Sequence, residues 1–284
     1  MMVANDASLR GKSKALAQRY GLMAQEVTQM YLFERFLARL SASPYKDRFV
    51  VKGGILVSSL VGIANRTTMD LDATIRSLRF DESTVRTVVS EICAFDLRDG
   101  VSFELERVVP IRDDDEYGGY RAQLKALFGR MAAPMKVDLT TGDVVTPGPI
   151  VRSLPMLFEP GAVEVLAYTT ETCLSEKFES IVKRGVTTSR ARDLYDVAML
   201  VRIYGEGLDW SVLAEAVRAT AQHRGTLELV RDYERTCDEM ASSEAIRHMW
   251  GNYVRRNHYA EAVSLDAAIC ATRMIGRRCL AQEM

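Results

Sequence analysis

The chain has 284 residues, of which 48% are hydrophobic and 26% are charged, and its formal net charge is -1. These proportions are ordinary for a folded globular protein, and the length predicts about two domains. The near-zero net charge argues against a protein that coats nucleic acid through overall positive charge, but it leaves room for a local basic groove.

Cysteine and histidine usage argues against several kinds of site. The five cysteines are scattered, odd in number and without a CxxC pair, which argues against a disulfide framework and a zinc site. The three histidines lack ligand spacing such as HExxH, so neither a histidine-metal site nor a Ser-His-Asp triad is supported. No apolar segment has the length of a secretory signal or a bilayer-crossing helix. We therefore expect a cytoplasmic protein with no membrane contact.

The first elements in the chain are helices, then a strand and a glycine turn. Apolar residues recur at helical spacing from Ala7 to Leu40. Phe49 to Val51 form a short apolar strand, after which Gly53-Gly54 precede a helical pattern from Ile55 to Ile63. Paired glycines leave backbone N–H groups uncovered at a helix N-terminus, where the macrodipole adds positive charge. This turn could hold a phosphate.

The next predicted strand, Met69 to Ala73, carries two carboxylates. Asp70 and Asp72 share one face because side chains alternate along a strand. At roughly 6–7 Å apart they would repel by about 2–3 kcal/mol at an effective dielectric near 20, unless they are solvated or share a cation. Mg²⁺ bound to a nucleotide suits such a pair beside a phosphate turn. The alternative is a glycine loop beside a solvent-facing strand end.

A helix and a hairpin are predicted next. The helix runs from Asp81 to Phe95, with Asp81 as its N-cap, and strands follow at Val101 to Val109 and Tyr120 to Phe128. The acidic loop Arg112–Glu116 joins the two strands. Three adjacent aspartates in a turn are usually solvated, and we interpret them so in preference to a metal or partner site.

A third carboxylate comes from the alternating strand Pro134 to Leu139. Lys136 and Asp138 share its polar face. If this strand lies beside that of Asp70 and Asp72, Asp138 completes an acidic triad for one or two Mg²⁺ ions, with Lys136 near the phosphates. The alternative is a half-exposed strand with a polar outer face.

The remaining chain is predicted to be helical. Leu154 to Tyr168 is interpreted as a proline-punctuated link, and helical patterns from Thr172 onward place a domain boundary near residue 160, dividing the chain into 1–160 and 161–284. A basic cluster in the second part could contact RNA by neutralising phosphates, although a solvated surface is the alternative. Its members are Arg247, His248, Arg255, Arg256, His258, Arg273, Arg277 and Arg278.

Five segments in order, FVVKGGILVSSLVG, NRTTMDLD, MKVDLTTGD, ETCLSEKFESIVKRG and SRARDLYDVAML, resemble the AbiEii/AbiGii-type nucleotidyltransferase toxins of abortive-infection and type IV toxin–antitoxin systems. The resemblance covers residues 20–205. It implies an α+β protein: a DNA polymerase β-like nucleotidyltransferase domain with a mixed sheet and N-terminal helices, followed by a helical bundle domain, with the active site in the cleft between them.

The resemblance also implies roles for residues. Lys177 matches the lysine of the helix after the acidic strands, and Asp193 and Asp196 match a DxxD motif flanked by Arg190 and Arg192. The catalytic set is Asp70, Asp72, Asp138, Lys177 and Asp193, and the first three are the metal ligands. The nucleotide-binding set is Lys52, Gly53, Gly54, Arg66, Thr68, Lys136, Lys177 and Asp196. Lys177 would reach the phosphates from the helical domain. Gly54 stands where nucleotidyltransferases more often have serine, so backbone donors would have to suffice.

The implied activity is Mg²⁺-dependent transfer of a nucleotide from an NTP to RNA, with the 3′ end of tRNA as the leading acceptor. Blocking that end would stop translation and arrest growth. In abortive infection, this arrest would serve as a defence against phage. A cognate antitoxin from a neighbouring gene is the expected protein partner. Two alternatives stay open. The acceptor could be a small molecule or a protein side chain, or the chain could be a catalytically silent nucleotide-binding interaction module.

Overall fold

The structure is a computed structural model that describes residues 3–111 and 118–280. These residues divide into two compact units, one within Met1–Asp143 and Pro149–Ala167 and the other within Val144–Gly148 and Tyr168–Met284. The predicted acidic loop Arg112–Glu116 lies outside the described residues. The sequence predicts a boundary near residue 160 between two domains that fold independently. Compact units do not test independent folding, so this boundary stays a prediction.

Four helices occur in the described part of the first unit. They are α1 (Asp6–Tyr20), α2 (Ala24–Ala42), α3 (Gly53–Val61) and α4 (Glu82–Cys93). α1 ends with a C-cap at Gly21, which adopts the left-handed conformation and so separates α1 from α2. The predicted N-cap of α4 is confirmed, since the Asp81 carboxylate accepts a hydrogen bond from the Thr84 N–H at 2.8 Å.

The strands of this unit form one mixed sheet. They are β1 (Phe49–Lys52), β2 (Leu71–Ile75), β3 (Val101–Ile111), β4 (Gly119–Phe128), β5 (Met131–Thr141), β6 (Ile150–Pro155) and β7 (Ala162–Ala167). Their order is β3-β4-β5-β2-β1-β7-β6. β2 runs antiparallel to β1 and parallel to β5, and β1 runs parallel to β7. The mixed sheet followed by helices confirms the predicted α+β class.

Side-chain alternation decides which face of the sheet is polar. Leu71 and Ala73 on β2 are buried, as are Val137 and Leu139 on β5. The residues between them therefore project from the opposite face. Burial of these apolar side chains stabilises the register because a slip of one residue would turn them out of the core.

The prediction of a link from Leu154 to Tyr168 is wrong, because this stretch contains most of an antiparallel hairpin. β6 pairs with β7 over its whole length, and Val51 on β1 pairs with Ala167 on β7. Pro155 looked like a strand breaker in the sequence, yet it is the last residue of β6. β6 is an edge strand, where a missing N–H costs no ladder hydrogen bond.

The second unit is helical in its described residues, as predicted. Its α-helices are α5 (Thr170–Arg184), α6 (Ala191–Tyr204), α7 (Trp210–His223), α8 (Leu227–Arg231), α9 (Tyr233–Ser242), α10 (Glu244–Arg256) and α11 (Leu265–Leu280). The Val144–Gly148 segment joins this unit through the Thr146 carbonyl, which accepts from the Thr172 hydroxyl at 2.7 Å. Across the described residues, no helix combines the length and apolar character needed to span a membrane.

Candidate active site

A row of four charged residues crosses four neighbouring strands of the sheet. Lys52 on β1 pairs in register with Asp72 on β2, Asp72 with Asp138 on β5, and Asp138 with Arg121 on β4. Residues in register on neighbouring strands project from the same face, with strands about 5 Å apart. Asp70 lies just ahead of β2, near enough for its charge to act on Asp72. The fold therefore brings three carboxylates together, with a cation at each end of the row.

The glycine turn fits closely around one of these carboxylates. Gly53 is the first residue of α3 and has φ of +65°, and a Cβ added to it would overlap the Oδ2 atom of Asp72. The Gly54 N–H donates a hydrogen bond to Asp72. N–H groups in the first turn of a helix have no acceptor inside the helix. Asp72 thus takes up one of the donors that the sequence suggested for a phosphate.

The surroundings of Asp72 oppose its ionisation. Burial is the largest influence and raises the pKa of this carboxyl, while the charge of Lys52 opposes that effect. The charges of Asp138 and Asp70 raise the pKa further, and the Gly54 hydrogen bond lowers it. The net result is a raised pKa. A group of carboxylates whose ionisation is disfavoured gains stability from an added cation.

Asp138 already has a cationic partner. The Arg121 side chain donates from Nε to Oδ1 at 2.7 Å and from Nη2 to Oδ2 at 2.6 Å. The hydrogen bonds to Asp138 raise the pKa of Arg121 strongly, and the charges of Asp138, Asp70 and Asp72 add to the effect. The paired guanidinium and carboxylate form the bidentate geometry that makes such ion pairs strong.

Lys52 has a carboxylate partner outside the row. Its Nζ lies 2.6 Å from Oδ2 of Asp143, which also accepts from the Thr140 hydroxyl at 2.7 Å. Burial by itself would raise the pKa of Asp143, but the charge of Lys52 and these hydrogen bonds lower it overall. Asp143 therefore holds Lys52 in place beside Asp72.

Two residues predicted to bind nucleotide lie behind the glycine turn. Arg66 and Thr68 are only 2% and 3% exposed. A Cβ added to Gly54 would lie 2.6 Å from the Thr68 hydroxyl oxygen and 3.2 Å from Nη2 of Arg66. A serine would not fit at this position without displacing Thr68. This crowding gives a physical reason for glycine at position 54.

Lys136, which the sequence predicts to bind a phosphate, is accessible. Lys136 is exposed and lies two residues before Asp138 on β5, so both project from the same face. Its register partner on β4 is Gln123. Its position is compatible with a phosphate that lies over the carboxylates.

Lys177, Asp193 and Asp196 form a separate cluster within the helical unit. Nζ of Lys177 on α5 lies 3.0 Å from Oδ1 of Asp193 and 2.7 Å from Oδ2 of Asp196, both on α6. The Lys177 side chain is 12% exposed and that of Asp196 is fully buried, whereas Asp193 retains 15% exposure. Burial opposes the charge of Lys177, but the two carboxylates raise its pKa overall. Asp193 is therefore the more accessible member of the DxxD pair.

The predicted metal ligands have oxygen donors of the kind that Mg²⁺ prefers. Asp70 and Asp72 fit a divalent cation by chemistry, since Asp72 lies where added positive charge would relieve repulsion. Asp138 fits a cation less well, because Arg121 bonds to both of its oxygens and already balances its charge. In residues 3–111 and 118–280, no three His, Cys, Asp or Glu side chains form a group that could hold a metal.

Arg121 and Asp143 are site residues that the sequence does not single out. Arg121 has a weak signal, since Arg121, Gln123 and Lys125 alternate with buried residues along β4. That pattern predicts a polar face but not which carboxylate the arginine meets. Asp143 follows Gly142 and looks like the end of a strand.

Comparison with known proteins defines the class first. The chain resembles the crystal structure of a candidate nucleotidyltransferase from Helicobacter pylori, with a TM-score of 0.50, 16% identity and coverage of 93% of this chain and 100% of the other. It also resembles JHP933 from Helicobacter pylori, with a TM-score of 0.49, 16% identity and coverage of 92% and 96%. An antigenic nucleotidyltransferase-like protein from Paracoccidioides brasiliensis matches with a TM-score of 0.41, 16% identity and coverage of 70% and 90%. The fold is that of the nucleotidyltransferases.

The family follows from the sequence. The family model described as nucleotidyl transferase AbiEii toxin, type IV TA system, matches residues 35–269. The chain belongs to this family of nucleotidyltransferase toxins, which implies a nucleotide substrate and an antitoxin partner. No curated protein matches the chain at a significant level.

Proposed function

We propose that this toxin transfers a nucleotide from an NTP to the 3′ end of tRNA, in the cytoplasm, and thereby blocks translation. The observation that carries the proposal is the meeting of Asp70, Asp72 and Asp138 beside the Gly53-Gly54 turn. A nucleotidyl transfer needs charge neutralisation on the triphosphate and a base near the acceptor hydroxyl, and this group of residues offers both.

Mg²⁺ is the cofactor that we propose, with Asp70 and Asp72 as the residues that would hold it. When bound, it would neutralise triphosphate charge. Lys136 is exposed on the same face and would bind a phosphate oxygen as a point charge. Asp138 would accept the proton of the acceptor hydroxyl, a role that its hydrogen bonds from Arg121 oppose by stabilising the ionised carboxylate.

The direct test is transfer of label from each of the four NTPs to total tRNA in the presence of Mg²⁺. We expect label on RNA with the wild-type protein and none with Asp72→Asn. The same substitution should raise the free energy of unfolding at pH 7. An acid with a raised folded-state pKa binds more protons when folded, so its ionisation lowers stability as pH rises. The stability gain should therefore shrink as the pH falls towards the ordinary carboxylate value of about 4.

The outcome of this assay also separates the alternatives. Label in the protein or small-molecule fraction would favour a different acceptor, whereas absence of label with all four NTPs would contradict the proposal. Unchanged growth arrest by the Asp72→Asn protein would favour a catalytically silent interaction module. Co-expression of the protein from the neighbouring gene would test the antitoxin, which should relieve the arrest.

The acceptor surface that we propose differs from the basic cluster seen in the sequence. Three of that cluster's arginines are engaged within the helical unit. Arg273 contacts Asp238 at 2.7 Å, Arg277 contacts Glu234 at 2.9 Å, and Arg278 lies over the Trp210 ring. The carboxylate partners of Arg273 and Arg277 cancel their positive charge locally, so these two residues are poor candidates for RNA contacts.

The segment from Lys183 to Arg192 is a better candidate. It carries four basic residues and no acidic residue over ten positions, and it joins α5 to α6. Arg184, Arg190 and Arg192 are exposed, and none of them has a carboxylate within 4 Å among the described residues. Unpaired exposed arginines suit the RNA backbone because each neutralises a phosphate and releases counterions.

We expect the triple substitution of Arg184, Arg190 and Arg192 by glutamine to weaken tRNA binding and raise the KM for tRNA. The slope of log affinity against log salt should fall by about 2–3, which is the loss of three phosphate contacts. A matched control removes three arginines that pair with carboxylates, Arg231, Arg235 and Arg277. Equal losses of tRNA affinity in both variants would contradict the assigned surface.

A further inference from the structure

Arg121 is the one residue of the charged row whose hydrogen bonds compete with the proposed chemistry. It bonds to both oxygens of Asp138, at 2.7 and 2.6 Å. These bonds occupy two of about four lone-pair sites of the carboxylate, and the guanidinium charge beside the other sites disfavours a cation there. Arg121 therefore opposes either role of Asp138, and loosening of its contact would favour both.

The surroundings of Arg121 allow such a change. Its side chain is 34% exposed, twice the exposure of Asp138 at 17%, so the guanidinium has solvent on one side. Its charge also acts on Asp70 and Asp72, which shows that it lies near all three carboxylates. A guanidinium stays charged at any working pH, and its fork of donors matches the geometry of both carboxylate and phosphate.

We propose that Arg121 is a built-in counter-ion that competes with divalent metal for Asp138 and transfers its hydrogen bonds to a phosphate of the incoming NTP. Without nucleotide, Arg121 neutralises Asp138 and keeps it from the metal. When the triphosphate binds beside the row, its oxygens accept from Arg121 and Asp138 is released for metal or proton binding. Arg121 would thus couple nucleotide binding to assembly of the site. The inference rests on the proposed function, because it assumes the metal and the NTP.

The proposal predicts two opposite effects of Arg121→Gln. Binding of Mn²⁺ without nucleotide, measured by electron paramagnetic resonance, should become about tenfold tighter, because a competing unit charge close to the carboxylates is removed. Binding of a non-hydrolysable NTP analogue should become about tenfold weaker, because a phosphate contact is lost. A merely structural arginine would not change the two affinities in opposite directions.

Lys125→Gln is the matched control, since Lys125 lies on the same face of β4 and its register partners are Pro134 and Glu104 rather than a carboxylate of the row. It should leave Mn²⁺ affinity nearly unchanged. Thermal unfolding of each variant checks that the fold is retained. If Arg121→Gln fails to fold, Arg121→Lys keeps the charge but loses the fork, so it should weaken binding of the NTP analogue and leave Mn²⁺ affinity close to that of the wild type, and unchanged analogue binding would overturn the proposal.

Asp70→Asn and Asp72→Asn distinguish failure of this inference from failure of the proposed site. If they leave Mn²⁺ binding unchanged, the metal site itself is wrong. If they abolish Mn²⁺ binding while Arg121→Gln binds Mn²⁺ no more tightly than wild type, the counter-ion role of Arg121 is overturned and the proposed function stands.

Discussion

Replacing Gly53 with alanine should lower nucleotide transfer by at least about 100-fold. A Cβ at this position would overlap Oδ2 of Asp72, so the carboxylate has to move. Displacement of a catalytic group by about 1 Å can cost on the order of 100-fold in rate. Alanine also tolerates the φ of +65° poorly, which should cost about 1–2 kcal/mol in the free energy of unfolding. The assay is label transfer at saturating NTP, with urea unfolding in parallel.

Gly62→Ala separates the two effects of that substitution. Gly62 follows the last residue of α3 and has φ of +85° and ψ of 148°, a region essentially restricted to glycine, so alanine there also carries a conformational cost. An added Cβ at Gly62 would meet nothing within 4 Å. We expect both variants to lose stability and only Gly53→Ala to lose transfer. Equal transfer rates in the two variants would mean that contact between the turn and Asp72 is not needed for activity.

Replacing Lys177 should strongly destabilise the helical unit. Replacing Lys177 with methionine leaves the fully buried Asp196 and the nearby Asp193 without their shared cation. Breaking a buried ion pair by removing one partner costs about 3–5 kcal/mol. Both tryptophans, Trp210 and Trp250, belong to this unit, so tryptophan fluorescence during urea unfolding reports its stability.

The loss should shrink as pH falls, because a proton can neutralise the buried Asp196 once its cation is gone, and it should stay constant towards higher pH up to about 9. Lys177 has a raised pKa, so its stabilising charge is fully present below the ordinary lysine value of about 10.4 and is lost only as pH rises through the folded-state pKa. Arg184→Met, on the exposed end of the same helix, should change stability by less than about 0.5 kcal/mol. A comparable loss in both variants would contradict the buried ion cluster.

Lys177 is also proposed to act in catalysis, and a double substitution separates that role from stability. Lys177→Met with Asp196→Asn removes the cation together with the carboxylate that most needs it. We expect the double variant to regain much of the lost stability but not the transfer activity. Recovery of both properties would show that Lys177 only stabilises the helical unit.

Alternation of apolar and polar residues in the sequence predicted several strands of the sheet and the faces of their side chains. Alternation in Leu71–Ala73 and in Val137–Leu139 places Asp72 and Asp138 on the polar faces of their strands, and the structure has them there. The same reasoning failed for β6 and β7, because prolines near Leu154–Tyr168 looked like a link. Proline at the end of an edge strand loses no ladder hydrogen bond, and the sequence does not reveal which strand lies at the edge.

In the candidate site too, some features were predictable from the sequence and others were not. Side-chain types and spacing predicted the glycine turn and the acidic residues, which depend on their immediate neighbours in the chain. The partners of these residues come from elsewhere: Arg121 lies 17 positions before Asp138, and Asp143 lies 91 positions after Lys52. Likewise, Arg273 and Arg277 looked like a basic surface until their contacts with Asp238 and Glu234 were known.

The sequence alone determined the class of fold, the family and the acidic residues that the chemistry would use, because periodicity and motifs are properties of short stretches of chain. Only the tertiary structure decided which cation meets which carboxylate. Strand register sets that pairing, and register depends on how the whole sheet buries its apolar face. For this protein, the pairing of Arg121 with Asp138 is such a register contact, and the proposed response of the site to nucleotide depends on it.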